Sequence, residues 1–254
     1  MIVAVDIGNS NVVLGCHDGE DWAHFWRLQT VTTQDAAVYY DIEIRNLILE
    51  SRLDLSQITG VILSAVVPQI RELMAEILTA AFEQPVVVVG PELYNTLNYK
   101  VPRPYEIGTD LVANAYAAYR RQSRACVVVD FGTALTFTTL DDSGYVAGVA
   151  IAPGIKTAMK ALSSNTAQLP EIPLELPDSV LGLHTTHAIQ AGILWGYVGI
   201  VKELLEKIRS EVDHHIPAIA TGGLSFVMSE IEGLFVEIDP QLTLDGLRFM
   251  LEDL

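Results

Sequence analysis

Asp6-Ile7-Gly8-Asn9-Ser10 and Asp130-Phe131-Gly132-Thr133-Ala134 are two versions of one turn, set in matching surroundings. A short apolar run leads into each, residues 1–5 in the first case and 125–129 in the second. Strand-like sequence follows each, Asn11-Val12-Val13-Leu14 and Leu135-Thr136-Phe137-Thr138-Thr139. The unit is strand, acidic glycine turn, strand, and it occurs twice. An Asp at a strand end can hold a cation or a water. Glycine lets backbone amides approach an anion, and the adjoining amide or hydroxyl donates further hydrogen bonds. One such turn is an ordinary hairpin connector. Two in the same context suit a polyphosphate and its metal, and predict a nucleotide site.

Outward from the first turn, the sequence predicts an amphipathic helix over 36–50, a strand over 60–66 and a helix over 68–83 that opens on Pro68. A strand over 85–89 precedes Gly90-Pro91. Residues 97–108, with Pro102 and Pro104, read as an ordered loop, and 110–121 as a helix. Around the second turn, strands occupy 125–140 and 145–152, and Pro153-Gly154 opens a helix running through Ala161. A proline-rich loop over 169–177 leads to a long amphipathic helix over 185–212. A strand over 217–220 then stops at Thr221-Gly222-Gly223, and two short helical segments finish the chain. Strands alternating with helices give an α/β fold. The duplicated turn predicts two similar halves, 1–115 and 116–254, with a nucleotide cleft between them.

Half of the 254 residues are apolar, enough for a sizeable core. The net charge of −17 argues against a nucleic-acid surface, which carries a basic stripe, and against docking on anionic lipid. Cys16 and Cys126 lie in apolar, strand-like stretches and read as reduced core residues. The six histidines show no metal-ligand spacing with them. The chain starts on a core strand with no signal-peptide pattern, and no apolar run reaches the roughly 18–20 residues that span a bilayer. A cytoplasmic protein with no membrane or nucleic-acid partner is the expectation.

A family likeness rests on segments spread along the chain. They include Val5-Asp6-Ile7-Gly8-Asn9-Ser10, Ser64-Ala65-Val66-Val67-Pro68, Tyr105-Glu106-Ile107-Gly108-Thr109-Asp110 and Val129-Asp130-Phe131-Gly132-Thr133-Ala134-Leu135-Thr136. Ala152-Pro153-Gly154, Ala161-Leu162 with Gln168-Leu169-Pro170, residues 185–196, Thr221-Gly222-Gly223 and Leu242-Thr243-Leu244-Asp245-Gly246-Leu247 complete the set. With these the chain resembles the sugar-kinase/heat-shock-chaperone/actin superfamily and, within it, the type III pantothenate kinases. The resemblance implies two ribonuclease-H-like halves with ATP in the cleft. It implies a homodimer that phosphorylates pantothenate from ATP, the first step toward coenzyme A, with Mg2+ and a monovalent cation, K+ or NH4+.

By the same resemblance, Asp6 orients magnesium, while Gly8, Asn9 and Ser10 line the phosphates. Gly132 and Thr133 mirror them from the second half. Asp130 matches the carboxylate that takes the monovalent cation. Thr136 and Thr138 share one strand face and suit either the cleft or plain β-propensity. Asp110 reads equally as an acid that complements a helix dipole or as the base for the attacking hydroxyl; the resemblance assigns it as the base. Tyr99, Gly108 and Thr109 match the pantothenate pocket, and Thr185 the residue that completes it from the partner subunit. Gly222 and Gly223 match the adenosine turn. Arg120, Arg121 and Arg124 read as cations at a helix C-terminus rather than a phosphate clamp.

The chain departs from the family pattern at Leu111, where an arginine usually follows the catalytic aspartate, and at Leu183 and Val149. These departures fall mostly on the acceptor side. Two other functions therefore accompany the kinase reading: a regulatory relative acting in transcriptional activation, and a kinase of another small hydroxyl acceptor.

Overall fold

The computed structural model describes residues 1–164, 172–223 and 229–254. Gln168-Leu169-Pro170, with the start of the expected proline-rich loop, lies outside the described residues. Among the described residues, ten strands build two five-stranded sheets. The first contains β1 (Ile2–Ile7), β2 (Asn11–His17), β3 (Trp22–Gln29), β4 (Gly60–Ala65) and β5 (Val86–Val88), in the order β3-β2-β1-β4-β5. The second contains β6 (Cys126–Phe131), β7 (Ala134–Leu140), β8 (Val146–Pro153), β9 (Ala218–Thr221) and β10 (Glu237–Ile238), in the order β8-β7-β6-β9-β10. The two orders coincide strand for strand. In each sheet three antiparallel strands come first and two parallel strands follow on the other side. The duplication visible at the turns is thus a duplication of whole ribonuclease-H-like sheets.

The central strands, Ile-Val-Ala-Val-Asp-Ile and Cys-Val-Val-Val-Asp-Phe, are apolar on both faces because helices or turns cover both. In the first sheet Val3, Val5 and Ile7 face α1 (Ala36–Glu50) and α2 (Pro68–Phe82). On the opposite face Ala4 and Ile62 meet α3 (Pro91–Thr96), α4 (Thr109–Gln122) and α8 (Leu242–Glu252). In the second sheet Val127, Val129, Phe131 and Phe137 pack with Ile155 of α5 (Ile155–Ser164) and with α7 (Gly196–Glu211).

The chain divides into two compact units, Met1–Ala117 with Leu242–Leu254, and Ala118–Gln241. The expected second half ran to residue 254, whereas α8 returns to the first unit. Leu244, Leu247 and Met250 pack there with Val112 and Ala113 of α4. Trp22 Nε1 donates to Asp245 at 3.0 Å, the Thr243 hydroxyl to Asn114 at 2.7 Å and the Tyr116 hydroxyl to Asp253 at 2.7 Å. No local pattern marks this return, which depends on distant partners.

The helix expected over 185–212 is α6 (Thr185–Gln190), a π-helical turn at Ala191–Trp195, and α7. The stretch Thr185–Glu211 contains an 18-residue window apolar enough to cross a membrane by length and composition, although no continuous apolar run of that length occurs in it. Its Leu194, Tyr197, Val198, Val201 and Leu205 are buried in the second unit's core, as in the core helix of a globular domain. Helix α3 and strands β3 and β10 were not foreseen. Helix α3 is six residues beginning on Pro91, too short to show a period, and β10 is two residues defined by pairing with β9. Cys16 and Cys126 are both buried, and burial pushes their thiols up to about 11 and about 12.

Candidate active site

The first turn is pinned by Thr30, the residue just after β3. The Gly8 N–H donates to the Asn11 carbonyl at 2.9 Å, and the Thr30 hydroxyl to the Gly8 carbonyl at 2.7 Å. The Thr30 N–H donates to the Ser10 carbonyl at 3.1 Å, leaving Asn9 and Ser10 exposed at the tip. Asp6, half-buried at the end of β1, pairs in register with Ser64 of β4. Ser64 is fully buried and shares a 2.9 Å hydrogen bond with the hydroxyl of Thr109, the first residue of α4. Asp6, Thr109 and Asp110 are thereby gathered at the C-terminal ends of β1 and β4.

Asp110 lies in the first turn of α4, and its Oδ1 accepts from the Leu111 N–H at 2.8 Å. A Cβ at Gly108 would lie 2.4 Å from that oxygen, so the carboxyl folds back over a glycine. Burial raises the pKa of Asp110 above its ordinary range, against the lowering effect of backbone hydrogen bonds. The residue is only partly covered, but its carboxyl is desolvated, and a desolvated carboxylate is a stronger base. Leu111, where the family pattern usually has an arginine, is 8% exposed. It is an apolar core side chain.

Tyr99 packs edge-on against Tyr116 at 5.1 Å, and its N–H donates to the Tyr94 carbonyl at 2.8 Å. With Tyr94, Asn95, Asn98 and Lys100 it lines an open pocket of about 400 Å³. Gly108, Thr109 and Asp110 are not among the residues that line this pocket. Arg103 pairs with Glu106 at 3.2 Å.

In the second unit the Gly132 N–H donates to the Ala134 carbonyl at 3.0 Å. The Thr133 carbonyl accepts from the Gly154 N–H at 3.0 Å and the Thr157 hydroxyl at 2.6 Å. A Cβ at Gly154 would lie 2.2 Å from the Gly132 carbonyl oxygen, so this glycine is a steric requirement of the turn. Asp130 pairs in register with Thr136 on one side and Thr221 on the other, and all three face away from the unit's main core. Thr136 and Thr221 are 7% and 1% exposed, and neither hydroxyl has a hydrogen-bond partner. Gly222, at φ +91°, would bring a Cβ within 2.4 Å of Asp130 Oδ1. Both its conformation and that contact demand glycine. Gly223 is exposed beside it, and Thr185 is exposed at the start of α6. Arg121 is ion-paired with Glu237 and, at 2.8 Å, with Asp239. Among the described residues no group of three or more His, Cys, Asp or Glu is placed to hold a metal.

A family model described as type III pantothenate kinase matches residues 2–207. The chain belongs to that family. A type III pantothenate kinase from Treponema pallidum is 42% identical over 97% of this chain and 92% of its own length. Among solved structures, a protein assigned to the Baf family of transcriptional activators from Campylobacter jejuni superposes with a TM-score of 0.61. It is 18% identical over 99% of this chain and 98% of that one. A protein assigned as a sugar kinase from Cytophaga hutchinsonii gives 0.53 at 14% identity, covering 99% of each chain. These two likenesses concern the fold alone. As a member of the type III pantothenate kinase family the chain is a phosphotransferase. Sequence reasoning gave no role to Ser64, Tyr94 or Thr221. Only register pairs and burial single them out, although Ser64 and Thr221 both lie in the last two residues of a strand, in register with the acid of a turn.

Proposed function

We propose that this chain transfers the γ-phosphoryl group of ATP to the primary hydroxyl of pantothenate, giving 4'-phosphopantothenate. The observation that carries this reading is the buried, basic carboxyl of Asp110, joined through Thr109 and Ser64 to the strand end that bears Asp6. As the new O–P bond forms and the bond to the β-phosphate oxygen breaks, ADP leaves and the hydroxyl proton passes to Asp110. Gly8, Asn9, Ser10, Gly132 and Thr133 serve the phosphates. Gly222 and Gly223 serve the adenosine, and Tyr99, Gly108 and Thr109 the acceptor.

Magnesium, when bound, neutralises charge on the polyphosphate. A single carboxylate such as Asp6, with substrate oxygens and waters, is an ordinary ligand set for it. The monovalent cation fits the row Thr136–Asp130–Thr221: two buried, unpartnered hydroxyl oxygens and one carboxylate carry a net charge matched to K+ or NH4+. Thr136→Val and Thr221→Val are each expected to raise the K+ concentration for half-activation by on the order of tenfold. The same variants should blunt thermal stabilisation by K+ without lowering the melting temperature in its absence. The first sheet already carries Val13 at the register position of Thr136. An unchanged K+ response in both variants would place the cation elsewhere.

The exposed apolar residues Val180, Leu181 and Leu183, just ahead of Thr185, support a homodimer in which Thr185 completes the partner's acceptor site. The charge of −17 supports a cytoplasmic enzyme with no nucleic-acid or membrane partner. Mass-spectrometric detection of phosphopantothenate from ATP, Mg2+ and pantothenate, with and without K+, tests the whole reading. Folded, ATP-binding protein that makes no product would sink it. The buried Leu111 favours a second reading, a different small hydroxyl acceptor, which an acceptor panel separates from the first.

A further inference from the structure

Tyr94 lies in α3 and is 2% exposed, and its hydroxyl is buried without a hydrogen-bond partner. Phenylalanine would fill the same space without that penalty, so the hydroxyl calls for a partner absent from the folded chain itself. Its surroundings identify the kind of partner. The ring packs in one cluster with Val112 and Ala113 of α4, just beyond Asp110 in that helix. Tyr94 also lines the open pocket of about 400 Å³, together with Asn95, Asn98, Tyr99 and Lys100. Pro91, Val101 and Pro104 also line it, so the wall combines apolar surface with polar groups and a cation, which suits a small ligand bearing carbonyl, hydroxyl or carboxylate oxygens.

Burial, together with the nearby charge of Asp110, holds the Tyr94 phenol protonated far above its ordinary range. It is a donor at every working pH. Asp110 accepts from the Leu111 N–H and is not bonded to Tyr94, so the phenol is left for something that enters. We infer that Tyr94 binds the phosphoryl acceptor, donating its buried hydroxyl to an oxygen of the molecule seated against Tyr99 and Asn95. This rests on the kinase reading above and adds an acceptor-binding residue to it.

The test is Tyr94→Phe in the full chain, with pantothenate as the probe. The variant is expected to melt at the same temperature as the parent or higher when no substrate is present. Its KM for pantothenate should rise about 2- to 13-fold, the range of one net hydrogen bond, while the KM for ATP stays unchanged. Stabilisation of the ATP-free protein by pantothenate should shrink in parallel. A variant that melts lower and keeps the parent's KM for pantothenate would overturn the inference, because the hydroxyl would then have a structural partner. Parent protein that makes phosphopantothenate beside an unaffected variant sinks this inference alone. Parent protein that makes none overturns the proposed function and this inference with it.

Discussion

Asp110→Asn is expected to lower turnover by about 10²- to 10⁴-fold, the usual contribution of a positioned general base, while leaving ATP binding intact. The same substitution should make the protein more stable at neutral pH, and the sign follows from desolvation. Burial raises the folded-state pKa of Asp110 above its ordinary value near 3.8. A raised pKa means that the folded state favours the protonated carboxyl. That stability is fully present below the unfolded value and is lost as pH rises through the raised folded value. At neutral pH the wild type carries a desolvated carboxylate, and asparagine keeps its shape without its charge. Melting temperatures measured from about pH 4 to about pH 8 should therefore show the variant ahead at the upper end and the gap closing toward the lower. The acid limb of kcat/KM in the wild type should likewise lie above the ordinary carboxylate range. If the variant is less stable than the wild type at neutral pH and still active, Asp110 is only a helix-terminal acid and the mechanism fails.

Gly246→Ala should be the most damaging single change to the fold. Its Cβ would lie 1.9 Å from the Ala113 carbonyl oxygen and 2.5 Å from the carbonyl carbon. These are backbone atoms in the middle of α4 and no rotamer change relieves the clash, so α8 must lift away. Leu244, Leu247 and Met250 would lose contacts with Ile62, Val112 and Ala113 as it does. Overpacking typically costs about 1–3 kcal/mol and sometimes more, and here backbone meets backbone. A loss of about 3 kcal/mol would lower the melting temperature by roughly 6–12 °C in a chain of this size. The helical preference for alanine over glycine returns at most about 1 kcal/mol of that. Gly199, exposed on α7 with nothing near its missing Cβ, supplies the contrast: Gly199→Ala should be neutral or stabilising. Calorimetry on the pair checks this, and equal melting temperatures would show that the α4–α8 contact is less tight than the geometry requires.

The two effects differ in how visible they are in the sequence. Asp110 can be picked out locally, by its place after Gly108-Thr109 at a helix start. Nothing around Gly246 shows that it must be glycine, because the atom it avoids belongs to a helix more than a hundred residues earlier. The same division runs through the candidate site. Asp6, Asp130 and their glycines are legible because turn chemistry is local: an acid ends an apolar strand and a glycine follows. Tyr94 gives no such signal, since an aromatic in a short helix looks the same whether or not its hydroxyl is paired.

By itself the sequence determined the α/β class, the duplicated turns, most of the strands and long helices, and the family. The class, turns and elements depend on apolar periodicity or on turn residues within a few positions of one another, and the family on a likeness of many short segments along the chain. The tertiary structure alone decided that α8 belongs to the first unit, that Ser64 joins Asp6 to Thr109, and that Thr136 and Thr221 stand on either side of Asp130. Strand register and helix docking decide those neighbours. Both are set by burying whole apolar faces contributed by distant segments, a condition that no short stretch of chain carries within it.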